Sequence, residues 1–168
     1  MVPELMARRN APGGTPATVA LTRAGVGFTT HPYDHDPAAE SFGLEAARAL
    51  GVDPARVFKT LFVSADGRLA VGVVPVSGRL DLKAVAAALD AKKAVMAEPA
   101  VAERASGYVV GGISPVGQKR PHPTVVDESA LAFETVFVSG GRRGLDLELA
   151  PADLLRVTSA TTARIGRS

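Results

Sequence analysis

The chain of 168 residues contains no cysteine and no tryptophan. Without cysteine there is no disulfide framework, no thiolate-ligated zinc and no cysteine nucleophile. That is compatible with a reducing compartment. Aromatic residues make up only 5% against a hydrophobic share of 46%, so the core has to be built from Ala, Val and Leu. No apolar run approaches the ~18 residues that span a bilayer. Residues Met1–Gly14 lack the apolar stretch of a secretory signal and are expected to be a disordered leader. Charge of one sign is also lacking. Nineteen Lys and Arg face seventeen Asp and Glu, a net charge of +2, too small a balance to announce a nucleic-acid binder. The local pattern says slightly more. Basic doublets stand at Arg8–Arg9, Lys92–Lys93, Lys119–Arg120 and Arg142–Arg143, and the last two adjoin glycine-rich loops.

A length of this order suits one domain. Thr15 before Pro16 is a helix start, closed by Gly25 and Gly27. Phe28–Tyr33 reads as a strand that Pro32 pushes to an edge or an end. Ser41–Leu50 reads as a helix with Leu44, Ala47 and Leu50 on one face. The apolar runs 57–64 and 69–76 flank Asp66-Gly67, a hairpin signal. Asp81 caps a helix over 82–89, 93–96 is a short strand, and 99–106 is a helix ended by Gly107. Strands are expected at 124–127, 135–139 and 145–149, a helix at 151–157, and a frayed tail beyond. The domain is set at 15–158, with 159–168 as tail. Hairpins and helices alternate without βαβ spacing, which gives the α+β class, a single domain on a mixed, mainly antiparallel sheet. Gly111, Gly112 and Gly117 lack the Gly-x-Gly-x-x-Gly spacing of a dinucleotide fold.

Few residues can carry chemistry. His31 and His35 have the spacing of a helical metal pair, but Pro32 and Pro37 argue against a helix, and no third ligand is placed nearby. Gly-x-Ser-x-Gly is absent, so Ser114 is not set up as a serine nucleophile. Lys59 stands inside an apolar strand. It either lies on a solvated face or presents a fixed positive charge to a cleft. The run Gly111–Lys119 either makes a tight turn or exposes backbone N–H groups to an anion or a developing oxyanion. Ser139-Gly140-Gly141 poses the same choice. Asp146, in an otherwise apolar strand, is a further candidate.

Taken together these segments resemble one family. Gly-Gly-Ile-Ser-Pro-Val-Gly-Gln-Lys at 111–119, the lysine strand 57–61, the hairpin 138–146, and the early loop from His31 through Phe42 are similar, in that order, to YbaK/EbsC proteins. The resemblance spans about 15–155. It implies a curved mixed sheet shared with the editing insertion domain of bacterial prolyl-tRNA synthetases. It also implies clearance of tRNA(Pro) mischarged with cysteine. Cysteine and proline are so close in size that one binding step discriminates only about 10–200-fold, which makes a second site necessary. Lys59 corresponds to the family's essential lysine, expected to hold the acceptor end and orient the ester. Tyr33, Phe42 and Thr60 match substrate-pocket positions, Ser139 and Asp146 match polar ones, and Gly111, Gly112, Ile113 and Ser114 would frame the ester. Lys119, Arg120, Arg142 and Arg143 would meet acceptor-stem phosphates. Phe58 and Arg120 depart from the common tyrosine and lysine. The resemblance further implies a cytoplasmic enzyme with no cofactor or metal, a monomer or weak homodimer, whose partners are aminoacyl-tRNA and prolyl-tRNA synthetase. The cysteinyl thiol itself would attack the ester. The alternatives are Ala-tRNA(Pro) as substrate and a non-catalytic tRNA- or synthetase-binding module.

Overall fold

The computed structural model describes residues 14–168. The expected leader, apart from Gly14, and the Arg8–Arg9 doublet lie outside them. In chain order the elements are α1 (Pro16–Arg23), β1 (Thr29–Pro32), α2 (Phe42–Leu50), β2 (Phe58–Ala65), β3 (Arg68–Pro75), β4 (Arg79–Leu80), α3 (Leu82–Ala88), β5 (Ala94–Met96), α4 (Pro99–Ser106), β6 (Thr124–Asp127), β7 (Val136–Ser139), β8 (Leu145–Leu149), α5 (Pro151–Thr158), β9 (Thr161–Ala163) and β10 (Gly166–Arg167). Short 3-10 turns cover Pro54–Arg56 and Glu128–Ala132. No helix among the described residues is long and apolar enough to cross a membrane.

The β2–β3 hairpin is the centre of the fold. Asp66 and Gly67 both take positive φ, 50° and 82°, the two-residue turn whose twist matches its strands. The full sheet has the order β5-β2-β3-β6-β9, antiparallel about β2 and parallel from β3 to β9. A second, antiparallel sheet runs β1-β8-β7, and β4 pairs with β10. Antiparallel pairs outnumber parallel ones, so the α+β class with mixed sheets holds. The pairing is divided into three parts rather than one curved sheet.

Both faces of the hairpin are covered. Phe58, Phe62, Val71 and Val73 enter the larger core with α1, α4 and α5 residues such as Leu21, Ala105 and Leu154. Val63, Ala70 and Val74 enter a smaller one with Val85, Leu80 and Ile165. Continuous apolar runs follow from this double burial. Lys59 is half-buried at the end of β2 instead of lying on a fully solvated face.

Two expectations fail. The tail is ordered: β9 extends the main sheet, and Ile165 is fully buried between β9 and β10. The Asp127 carboxylate pins it, accepting the N–H groups of Ile165 and Gly166 at 2.9 and 2.8 Å. Leu44 is exposed, while Ala46 and Ala47 are buried. The reason is the close seat of α2 on Val76 through Gly43, where a Cβ would come within 2.3 Å of Val76 Cγ1. That contact rotates the buried face away from Leu44.

The edge of β2 away from β3 is only partly covered. On the side away from β3, β5 pairs with it only from Val63 to Ala65, with a last bond from Ala97 N–H to the Phe62 carbonyl at 3.0 Å. At its other end β7 meets the same strand through a single bridge, Val57 to Phe137. Between the two neighbours, residues 59–61 have no strand on that side among the described residues.

Candidate active site

Where β5 and β7 part, a cavity of about 380 Å³ opens, within the range of small-molecule sites. Val57 to Phe62 line it as an unbroken run. Side chains alternate between faces along a strand, so consecutive residues on one wall mean that the edge of β2 faces the cavity. Phe42 and Ala46 of α2 form one side, Met96, Ala97 and Ala102 another, and Gly111 with Ile113 a third. Ser139 and Asp146 close it from β7 and β8. They are register partners, so their side chains stand together on one face.

The walls are mostly apolar, and three of their buried polar atoms are unpartnered. Thr60 Oγ1, Ser139 Oγ and Asp146 Oδ2 are buried without a hydrogen-bond partner. Among the described residues only Ser129 Oγ shares that condition, and it lines a different hollow. Buried polar atoms are nearly always paired, so three orphans in one cavity mark a place prepared for a polar ligand. Burial pushes the Asp146 carboxyl up to about 7. Burial, helped by the Asp146 and Glu45 carboxylates, pushes the Tyr33 phenol up to about 12. Lys59, partly buried on the rim, has no carboxylate or other hydrogen-bond partner among the described residues. Burial lowers its ammonium from the usual lysine value, and Arg79 nearby adds to that. A rim cation without a counterion among the described residues draws an anion.

The glycine run divides. Gly111, at φ 92°, lets Phe42 and Arg143 close over it, since a Cβ would lie 2.9 Å from the Phe42 ring and from Arg143 Nε. Gly112 does not face the cavity. It packs against the backbone of Arg142, and its N–H is spent on the Val109 carbonyl at 2.8 Å. Ser114 is fully buried elsewhere, its hydroxyl accepting the Val116 N–H at 3.2 Å. So Gly111 and Ile113 reach the cavity, while Gly112 and Ser114 support the loop behind it.

The basic candidates divide as well. Arg143 sits on the rim, Nε–H donating to the Val110 carbonyl at 2.8 Å with its guanidinium 5.1 Å from the Phe42 ring centre. Arg142 is exposed, with a long 3.4 Å contact to the Arg143 carbonyl. Lys119 and Arg120 are exposed near the end of α4, off the cavity wall. His31 pairs with Glu148 and His35 with Glu45, each at 2.8 Å, and His35 also leans on Phe42. Arg79, the α4 wall and the open edge of β2 were missed in the sequence. The edge had one signal, Pro99 just beyond β5, which cannot donate to a ladder.

The model of the aminoacyl-tRNA editing domain matches residues 36–157. An Enterococcus faecalis protein, named provisionally as the Cys-tRNA(Pro)/Cys-tRNA(Cys) deacylase EbsC, is 39% identical over 120 residues, covering 71% of this chain and 73% of that one. A crystal structure of a provisional trans-editing enzyme for prolyl-tRNA synthetase superposes with a TM-score of 0.78 at 24% identity, covering 91% and 96% of the two chains. A second crystal structure, of a protein described as hypothetical, gives 0.80 at 25% identity over 90% and 99%.

Proposed function

The chain belongs to the aminoacyl-tRNA editing family, in its YbaK/EbsC branch, and from that premise we propose that it hydrolyses the ester of mischarged tRNA, with Cys-tRNA(Pro) as its main substrate. The observation that carries the reading is the cavity in which Thr60, Ser139 and Asp146 offer unpartnered polar atoms beside an uncompensated Lys59. An aminoacyl ester needs those groups. Its α-ammonium requires acceptors, which Asp146 and Ser139 supply. The acceptor end brings phosphate, which the Lys59 ammonium on the rim would meet, with the exposed Arg79 close enough to act on the same charge. The apolar walls from Phe42, Ile113 and Ala102 suit a small side chain.

Among the described residues the cavity holds no cysteine, and Ser139 stands beside Asp146 as an acceptor for the ammonium. In this reading the attacking atom is the substrate's own thiol, as the resemblance to YbaK/EbsC proteins implies. Its sulfur bonds to the ester carbon, the ester C–O bond breaks, and the thiol proton passes to the departing ribose oxygen. A cyclic thioester leaves, and water opens it later. Lys59 and the backbone N–H groups of the cavity stabilise the developing oxyanion, and the walls hold the thiol within reach. Parallel turnover of Cys-tRNA(Pro) and of S-methylcysteinyl-tRNA(Pro) tests this. Only the free thiol should turn over. Equal rates would transfer the attack to water, and with it the preference to any small residue, alanine included.

A further inference from the structure

Strand β2 offers the cavity more than side chains. In an antiparallel ladder, residues alternate between pointing their N–H and C=O at one neighbour and at the other. The Val57 carbonyl accepts Val76 N–H at 2.8 Å, which turns Val57, Lys59, Leu61 and Val63 towards β3. Phe58 stands opposite Pro75, where no ladder bond can be donated, in agreement. The Phe62 carbonyl accepts Ala97 N–H on the opposite edge, in the same phase. Thr60 therefore directs its N–H and C=O into the cavity. Continued by the β5 register of Val63 with Met96, the position opposite Thr60 falls at Pro99, which lacks an N–H and heads α4. Both Thr60 backbone groups are left without a strand partner among the described residues, and buried backbone groups rarely are.

We propose that the aminoacyl group of the substrate docks on this edge as one residue of a β-ladder, its carbonyl oxygen accepting Thr60 N–H and its α-ammonium donating to the Thr60 carbonyl. The inference rests on the deacylase reading and adds how the amino acid is held. An amino acid carries its amine and carbonyl on either side of one carbon, as does a residue in a hydrogen-bonded antiparallel pair. The ammonium has two further N–H bonds for Ser139 Oγ and Asp146 Oδ2, the partnerless acceptors opposite. A prolyl group fits this edge less well on backbone grounds. Its ring carbon replaces one N–H, leaving two for the three acceptors, and the ring fixes where those two point. The edge thus disfavours the correctly charged tRNA without measuring side-chain size.

Amide hydrogen exchange of the full chain tests this, using 3′-deoxy-3′-aminoadenosine acylated with cysteine through a non-hydrolysable amide. With the analogue at saturation, judged from the Gly111 and Ile113 resonances, Thr60 N–H should exchange at least about tenfold more slowly. That corresponds to about 1.4 kcal/mol. Lys59 and Leu61, already paired with β3, should change little. The prolyl analogue at the same concentration should protect Thr60 less. Saturation with no change at Thr60, or equal protection by the prolyl analogue, overturns the inference alone. Failure of the cysteinyl analogue to bind at all overturns the deacylase reading together with it.

Discussion

Replacing Asp146 by asparagine tests whether the cavity is as dry as its geometry implies. The carboxyl is 4% exposed, with one oxygen unpartnered, and burial holds it at about 7 against an ordinary 3.8. At about 1.4 kcal/mol per pH unit, that shift disfavours the native anion by about 4 kcal/mol. The folded pKa of this acid is raised, so the native chain is relatively most stable below the unfolded value of 3.8. It loses stability as pH rises to about 7, and the full cost applies above that. Asparagine cannot ionise, and whatever its amide costs does not vary with pH. The stability of Asp146→Asn relative to wild type should therefore rise by about 2–3 kcal/mol between pH 5 and pH 8. For a chain of this size that is a relative gain in Tm of about 5–10 °C. Urea unfolding at the two pH values measures it. Deacylation should fall about 10–100-fold, the worth of a hydrogen bond to a charged group, and the rise of kcat/KM near pH 7 should disappear. A stability difference equal at pH 5 and pH 8 would show a solvated carboxyl of ordinary pKa and refute the reasoning.

The ordered C-terminus gives a second expectation. Asp127→Ala removes the acceptor of the Ser129, Ile165 and Gly166 N–H groups and should cost about 2–4 kcal/mol in urea unfolding at neutral pH. Burial opposes ionisation of Asp127, but those bonds outweigh it and hold its pKa below the usual value. Its contribution should thus be present above about pH 4 and fade as pH falls further. Gly111→Ala would place a methyl 2.9 Å from Phe42 and Arg143 at a φ of 92°. It should lose about 1–3 kcal/mol of stability and more of kcat/KM than of binding to bulk tRNA. Arg143→Met, which unfastens the Val110–Phe42 contacts, should slow hydrolysis of aminoacyl-adenosine and of aminoacyl-tRNA alike. Arg142→Met should slow only the tRNA reaction and flatten its salt dependence.

The elements themselves were largely readable because their signals are local. Thr15 with Pro16, Ser41, Asp81 and Asp66-Gly67 act within a few residues, and each stands where it was expected. The tail was not readable, because Thr161–Ala163 is too short to show a period and is held by Asp127, nearly forty residues away. Of the candidate site, Lys59, Thr60, Tyr33, Phe42, Gly111, Ile113, Ser139 and Asp146 meet at one cavity. Gly112 and Ser114 stand behind the cavity wall, and a glycine needed for backbone contact with Arg142 looks, in sequence, like one needed for a ligand. The open edge at Thr60 depends on where two neighbouring strands end, a property of the ladder and not of any residue in it.

The most direct test is the kcat/KM of wild type and Lys59→Ala on Cys-tRNA(Pro), with Pro-tRNA(Pro) as control. Wild type should clear the cysteinyl ester and spare the prolyl one. Lys59→Ala should lose at least about 100-fold, the scale of one lost oxyanion or phosphate donor. Its unfolding midpoint should not fall, since Lys59 has no partner among the described residues to lose. Full activity in folded Lys59→Ala, or no turnover of Cys-tRNA(Pro) by wild type, would contradict the account.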